Sequence, residues 1–245
     1  ARMEDRNFQT NIIDISETKH EESTYSIFGG SIVLEGSTLN ARQFATQGSR
    51  EKMAAQIFTG TEHFRSGISK VTKGTPEPYK KVQSWLQVSY QNETYHKVSP
   101  KFTLGAYLEA YYSSRNFSNN YTATLMQAGE FTPTAHSKVT YNEAFRANQY
   151  AGVGTMPIYQ LSEAFQLRGE VYGFIPIFPI KKDEYGQAYY GKAFTKFEYL
   201  GEISLVFQLS FGSISAYVNH YSSPSNDWNV GLTLGWQLFN SRFVE

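Results

Sequence analysis

One stretch of the sequence, YNEAFRANQYAGVG, contains the charged side chain with the clearest chemical signal in the chain. In it Arg146 lies between two aromatic residues, Phe145 and Tyr150, and a Gly-x-Gly pair, Gly152 and Gly154, follows. A guanidinium is suited to bidentate pairing with a carboxylate, and a buried arginine without a partner costs free energy. We therefore expect Arg146 to be ion-paired and the glycines to let the backbone pack closely against a neighbour. The alternatives are a solvated loop arginine and two ordinary small residues on an inward face.

Patterns for catalysis or metal binding are missing from the sequence. The chain has no cysteine, which excludes disulfides and thiolate metal sites. The string FGSIS at 211–215 lacks the Gly-x-Ser-x-Gly pattern of a nucleophilic serine. A Ser-His-Asp triad is a spatial arrangement, so spacing alone does not exclude one. We assign no catalytic residue, no metal and no cofactor, and the histidines, which lack metal-ligand spacing, are expected in loops or at strand ends: His20, His63, His96, His136 and His220.

The composition narrows the class of protein. The 22 basic and 22 acidic residues give zero net charge, which is not the footprint of a nucleic-acid-binding protein. No run of about 18 apolar residues is present, so no transmembrane helix is expected. Aromatic residues make up 16% of the chain, an excess that suits a membrane β-barrel with aromatic girdles. The first residues, ARMEDRNFQT, contain no signal peptide, which we interpret as a mature form or, preferably, a fragment.

The elements that position these residues are predicted by period-two alternation of apolar and polar side chains. The strictest alternation places Trp228, Val230 and Leu232 on one face and Asn229 and Gly231 on the other. One tilted membrane crossing needs about 9–11 residues, which fits this segment. The alternation predicts nine strands and a weak tenth, at 11–16, 25–38, 52–60, 82–92, 101–113, 150–161, 165–178, 199–210, 213–221 and 228–238.

Two regularities of these strands favour a membrane barrel over a soluble sandwich. The connections alternate between long and short, as in outer-membrane barrels, and the longest loop covers about 114–149. One face is apolar, and the other carries Gly, Ser, Thr, Gln and Glu, as a packed or wet lumen would. In a soluble β-sandwich, the alternative, the apolar face would form the core. The predicted fold class is all-β, an antiparallel transmembrane β-barrel.

The segment FRANQYAGVG resembles the bacterial surface antigen superfamily of outer-membrane barrels, which includes the assembly and translocation barrels. The resemblance implies about sixteen strands and a sixth external loop that folds into the lumen with a V-R-G-F/Y motif. Arg146 matches the arginine of that motif, whereas Ala147 departs from its glycine. Gly152 and Gly154 match glycines of the twelfth strand, and Glu170 stands where the family usually has Asp on the thirteenth. The resemblance therefore implies that Arg146 pairs with Glu170 in the lumen and pins the loop.

The same resemblance numbers the strands. If the strand at 150–161 is the twelfth, four more should follow, and the alternation predicts four. The chain then begins near the seventh strand. We expect residues 1–245 to form one barrel domain, the C-terminal nine to ten strands of a sixteen-stranded barrel.

A second resemblance extends over nearly the whole chain, to the C-terminal barrel of patatin-like phospholipases of Gram-negative bacteria. It implies an outer-membrane barrel that anchors or exports an N-terminal patatin-like lipid acyl hydrolase, whose catalytic Ser and Asp have no counterpart here. The alternatives are a barrel of the assembly or translocation class and a plain pore or adhesin barrel. The matching segments are DRNFQT, TLNARQFATQG, NYTATLMQAGEFTPT, FRANQYAGVG, LRGEVYGFIPI and WNVGLTLGWQLF.

The implied partners are outer-membrane lipids and, during biogenesis, the outer-membrane assembly machinery. A homodimer is a further option, and no nucleic acid is expected. The strand end with Trp236, Leu238 and Phe239 resembles the C-terminal signal read by that machinery, although six residues follow Phe239. Aromatic girdles at the membrane interfaces are expected from Trp228, Trp236, Tyr111, Tyr112, Tyr189 and Tyr190.

Overall fold

The chain is mostly β in the computed structural model, which describes residues 2–4, 22–65, 79–118, 121–184, 186–223 and 228–236. Within the described residues, nine strands of nine residues or more and one three-residue strand form a single sheet. The strands are β1 (Arg2–Glu4), β2 (Glu22–Ser37), β3 (Gly48–Arg65), β4 (Tyr79–Ser99), β5 (Phe102–Ser113), β6 (Gly129–Glu130), β7 (Arg146–Ala147), β8 (Gln149–Gln160), β9 (Phe165–Pro176), β10 (Ile180–Lys182), β11 (Ala188–Tyr190), β12 (Glu198–Leu209), β13 (Gly212–Tyr221) and β14 (Trp228–Trp236). The helical segments are α1 (Tyr121–Gln127) and two 3-10 turns, Ser137–Val139 and Glu143–Phe145.

The large sheet is antiparallel throughout, in the order β1-β2-β3-β4-β5-β8-β9-β12-β13-β14. Two small ladders, β6 with β7 and β10 with β11, lie in the connections. Because the strands alternate in direction, the connections gather at two ends. The short-connection end holds residues 38–47, 100–101, 161–164 and 210–211, and the long-connection end holds 114–148 and 177–197.

Period-two alternation located the nine long strands of the sheet, but it did not locate all of their ends, and it indicated none of the short strands β1, β6, β7, β10 and β11. The strand predicted at 82–92 is longer than expected, because β4 continues to Ser99 and His96 pairs with Leu104 of β5. Backbone pairing therefore continues past the point where the apolar pattern of β4 stops. The strand predicted at 11–16 lies outside the described residues.

The two faces of the sheet have opposite characters. Large apolar side chains project from the outer face, where Leu232 and Leu234 are each 80% exposed. Polar and charged side chains occupy the inner face, where Arg168, Glu202 and Ser204 are buried. A soluble sheet protein buries its apolar face, because removal of apolar surface from water drives folding. Among the described residues the long strands form one sheet, so the two packed sheets of a sandwich are not formed by them.

The long loop, residues 114–148, covers the inner face. Its side chains Phe131 and Phe145 pack against Tyr107 and Phe174 of the sheet, and this contact is the centre of the main apolar cluster. The core therefore lies between the loop and the sheet rather than between two sheets. Among the described residues, no helix is both long enough and apolar enough to cross a membrane.

The inward turn, residues 38–47, also folds onto the inner face and shows that the sheet is curled. Arg168 Nη1 in β9 donates to the Ala45 carbonyl oxygen at 2.8 Å, and Ser213 Oγ in β13 donates to Gln43 Oε1 at 3.0 Å. In a flat sheet, with about 4.8 Å between neighbouring strands, the β2–β3 connection would not reach β13. Strand pairing among the described residues leaves β14 with one neighbour, so these residues form a curled antiparallel sheet that is not closed.

Candidate functional site

Arg146 closes the long loop on itself, because its Nη2 lies 2.8 Å from Glu130 Oε2 in the β6–β7 ladder. Nη1 donates to the carbonyl oxygens of Leu125 and Met126, each at 3.3 Å, at the end of α1. The guanidinium also lies 4.7 Å from the centre of the Tyr141 ring, a cation–π contact. Burial raises the pKa of the Tyr141 hydroxyl, and the Arg146 charge opposes that shift. Arg146 is thus ion-paired, and each of these partners belongs to the long loop.

Glu170 is paired with a different arginine. Arg168 Nε lies 3.0 Å from Glu170 Oε1, and the Tyr172 hydroxyl donates to Glu170 Oε2 at 2.9 Å. The expected ion pair between Arg146 and Glu170 is therefore not formed. Both carboxylate oxygens of Glu170 are engaged by its own strand, whereas Arg146 is engaged by Glu130. The alternation that places Arg168, Glu170 and Tyr172 on one strand face already contained the signal for this arrangement.

Gly152 and Gly154 lie in β8 where aromatic rings cover the backbone. A Cβ at Gly152 would overlap the Phe131 ring of the long loop, and a Cβ at Gly154 would overlap the Tyr172 ring of β9. Only a residue without a side chain leaves this room. The first glycine therefore accommodates the docked loop, and the second accommodates the neighbouring strand.

Phe145 and Tyr150 join the loop to the sheet by different chemistry. Phe145 is buried, and its ring lies 5.6 Å from that of Tyr221 in β13. The Tyr150 hydroxyl donates to Glu109 Oε1 in β5 at 2.7 Å and lies 3.1 Å from the Glu130 carbonyl oxygen in the loop. The two aromatics that flank Arg146 in sequence therefore fix both sides of the loop's return into β8.

His136 makes the contact that sequence patterns did not indicate. Its Nδ1 lies 2.6 Å from Glu202 Oε1 in β12, and its Nε2 lies 3.2 Å from Ser215 Oγ in β13. The imidazole stacks on Tyr217, with ring centres 3.6 Å apart and an angle of 13° between the planes. The expectation of a loop or strand-end histidine placed it correctly in a loop. No local signal in the sequence links it to residues 66 and 79 positions away.

The distances among Ser215, His136 and Glu202 are those of a serine-hydrolase triad, but the exposure is not. A nucleophile needs an oxygen that a substrate can reach. Ser215 is 1% exposed and His136 2%, so no substrate reaches the serine oxygen. The three residues therefore attach the loop to the sheet, and the described part of the chain presents no accessible serine nucleophile at this point.

A second attachment lies on the same inner face, near the other end of the strand order, in β2, β3 and β4. The Tyr25 hydroxyl of β2 donates to Glu62 Oε1 of β3 at 2.9 Å and lies 2.9 Å from Ser118 Oγ in the long loop. Gln83 Nε2 of β4 donates to Glu62 Oε2 at 3.1 Å. Together with the His136 contacts, this attachment makes the long loop a strap that crosses the inner face from β2 to β13.

The aromatic residues expected in girdles divide between the faces. Tyr111 is half-buried and stacks on Tyr150 on the inner side, so it does not belong to an outer ring. The backbone of Trp236 pairs with Gly212 at the end of β14, and its side chain lies outside the described residues, as do Leu238 and Phe239. The exposed members of the predicted set are Tyr112, Tyr189, Tyr190 and Trp228.

Searches for similar proteins give no family for this chain. No protein-family model, no curated protein and no solved structure matches it. Within the described ranges, no group of three or more His, Asp or Glu side chains is arranged to hold a metal ion. The fold and the site therefore define a mostly β protein with a large, curled antiparallel sheet, whose polar inner face is crossed by a strap.

Proposed function

We propose that this sheet is the C-terminal part of a membrane-spanning β-barrel in the outer membrane of a Gram-negative bacterium. The reversal of the two faces is the observation that carries the proposal. Exposed apolar strands with a buried polar interior suit a lipid surround, because lipid solvates the outer face and the protein satisfies the inner one. The lengths of β5, β8, β9 and β12, 12 residues each, agree with one tilted crossing.

We further propose that the barrel is an anchor rather than an open pore. The long loop and the inward turn fill the inner face from the two ends of the sheet, and buried polar contacts hold both. Arg168 ties the turn, and His136 ties the loop. A plain pore would leave the polar face to water, so low conductance in planar bilayers is expected of the complete barrel.

The anchored cargo is inferred from the resemblance to patatin-like phospholipases. The catalytic Ser and Asp of such a hydrolase have no counterpart in this sequence, and the buried Ser215 does not replace them. In this proposal the hydrolase precedes the barrel in the same protein and cleaves acyl esters of phospholipids. A Gly-x-Ser-x-Gly domain encoded upstream and lipase activity of the full-length protein are the expected findings. Periplasmic repeat modules upstream, without lipase activity, would instead select the assembly or translocation class.

The membrane proposal has a direct test, because the chain contains no cysteine that would need removal. Leu232→Cys on the outer face and Val139→Cys in the long loop replace apolar residues of similar exposure, 80% and 84%. Each variant is labelled with a fluorophore and reconstituted into vesicles whose lipids carry acyl-chain quenchers. Strong quenching at position 232 and weak quenching at position 139 are expected. Equal quenching at the two positions would reject a bilayer around the outer face.

A further inference from the structure

Phe194 combines a strained backbone with an exposed side chain. Its φ is 54°, in the left-handed region that a bulky residue adopts at a cost in free energy. Its ring is nevertheless 68% exposed, so contacts within the chain recover little of that cost. Glycine would remove the strain. A contact made to the ring from outside the chain would offset the conformational cost and account for phenylalanine at this position.

Phe44 provides an internal comparison, because it has the same φ of 54°. Its ring faces the buried side chains of Arg168 at 5.7 Å and His136 at 6.4 Å. Its carbonyl oxygen accepts hydrogen bonds from Gln166 and Gln208, each at 3.2 Å. The cost of the left-handed conformation is thus offset inside the molecule at Phe44. At Phe194 the described residues supply no comparable set of contacts, because its amide donates to the Ile177 carbonyl oxygen at 2.9 Å while its ring stays exposed.

Phe194 precedes by three residues a row of aromatic side chains at the long-connection end of the outer face, namely Phe197, Tyr199, His220 and Trp228. The Phe197 ring covers Gly173 of β9. Next along the sheet, Tyr199 stacks on His220 at 5.8 Å, and His220 contacts Trp228 at 4.8 Å. Such rings favour the boundary between hydrocarbon and water. The row marks where the apolar outer face ends.

Two lysines, Lys181 and Lys192, belong to the connection that leads into this end of the sheet. The Lys181 side chain runs over Gly191, next to Lys192, and both lysines are exposed. Tyr189 is the cross-strand neighbour of Lys181 in the β10–β11 ladder and is exposed as well. Aromatic rings lie at the ends of the strands, and amines lie in the connection that follows. This order matches the sequence of acyl chains, interface and phosphates in a lipid leaflet.

We infer that the connection 177–197 docks on the lipid headgroup layer, with Phe194 and Phe197 at the boundary between hydrocarbon and headgroups and Lys181 and Lys192 on lipid phosphates. This inference rests on the proposed membrane barrel. It adds a specific lipid contact, namely anionic phosphate-bearing headgroups at the long-connection end. The left-handed conformation of Phe194 then directs its ring outward to the lipid.

The test places a fluorophore on Phe194→Cys and on the control Val139→Cys, in the full chain reconstituted into phosphatidylcholine vesicles with a headgroup-linked nitroxide. We expect at least about threefold stronger quenching at position 194 than at position 139, as for an interfacial aromatic. The Leu232→Cys label with acyl-chain quenchers reports insertion in the same preparation. If position 232 is quenched and position 194 behaves like position 139, this inference fails while the barrel stands. If position 232 is not quenched either, both fail.

The lysines are tested by adding phosphatidylglycerol to the vesicles. Quenching at position 194 should increase with the anionic lipid, and high salt should reverse the increase. Lys181→Gln with Lys192→Gln should abolish the increase, whereas Lys97→Gln with Lys101→Gln, at the short-connection end, should retain it. An increase that survives the first double variant overturns the phosphate contact. Shielding of position 194 from a water-soluble quencher without headgroup quenching indicates a protein partner and overturns the lipid contact.

Discussion

His136 Nδ1 lies 2.6 Å from Glu202 Oε1, and this contact ties the middle of the loop between β5 and β8 to β12, two strands beyond β8 in the sheet order. Both side chains are buried, so the pair is shielded from water. Asn219 Nδ2 lies 3.5 Å from the other carboxylate oxygen. The strap is therefore held by buried polar groups, which have few alternative partners because water does not reach them.

Substitution of His136 by Ala should therefore destabilise the protein. It leaves Glu202 buried without its main partner, which typically costs about 3–5 kcal/mol in the free energy of unfolding. Urea titration in detergent micelles measures the loss. His96→Ala, an exposed strand histidine, is the control and should change stability by less than about 0.5 kcal/mol.

A double-mutant cycle separates the pair from the loss of packing. If His136 and Glu202 stabilise each other, His136→Ala combined with Glu202→Gln should cost clearly less than the sum of the single changes. Additive losses would mean that the imidazole acts through its stacking on Tyr217 instead.

The ion pair in the β6–β7 ladder predicts which carboxylate protects the long loop from proteolysis. Arg146→Ala and Glu130→Ala should each raise the rate of cleavage within 114–148 by about twofold to fivefold, the range expected for a partly exposed pair. Glu170→Gln should leave that rate unchanged, since Glu170 bonds to its own strand. Limited chymotrypsin digestion followed by mass spectrometry measures all three, because none of these substitutions removes an aromatic cleavage site. Faster loop cleavage in the Glu170 variant alone would restore the pairing expected from sequence.

The close approach at Gly152 predicts a local overpacking effect. Gly152→Ala would drive its methyl group into the buried Phe131 ring and should lower stability by about 1–3 kcal/mol. Phe131→Leu in the same chain should recover part of the loss. Gly30→Ala, which has open space around the new methyl group, should be neutral. Equal effects at positions 30 and 152 would point to strand backbone entropy rather than to the docked loop.

The long strands could be predicted from the sequence, because alternation repeats along each strand. A one-residue slip in register would turn every side chain to the opposite face. The ion-pair partners were harder to predict from the sequence, because they depend on contacts between distant segments. Glu130 meets Arg146 through a two-residue ladder that has no periodic signal, and His136 reaches Glu202 across the inner face. The Arg168–Glu170 pair is the exception, since both residues follow from the inward positions of one strand. The motif resemblance predicted Arg146 as the partner of Glu170 and did not indicate Arg168.

The inward turn depends on Arg168, and two effects of that residue can be separated. Arg168→Met removes the hydrogen bond to the Ala45 carbonyl oxygen and leaves Glu170 buried without its cation. Stability should fall by about 3–5 kcal/mol, and amide exchange at 43–47 should accelerate. Adding Glu170→Gln should recover much of the stability, because no unpaired charge remains.

Amide exchange in the turn should stay fast in that double variant, because Ala45 still lacks its donor. Hydrogen exchange with mass spectrometry resolves the turn from the strands. If protection of the turn returns together with stability, then Gln166 and Gln208, which donate to the Phe44 carbonyl oxygen, suffice to hold it. In that case the role of Arg168 is confined to compensating the charge of Glu170, and the inward turn is not held by the arginine.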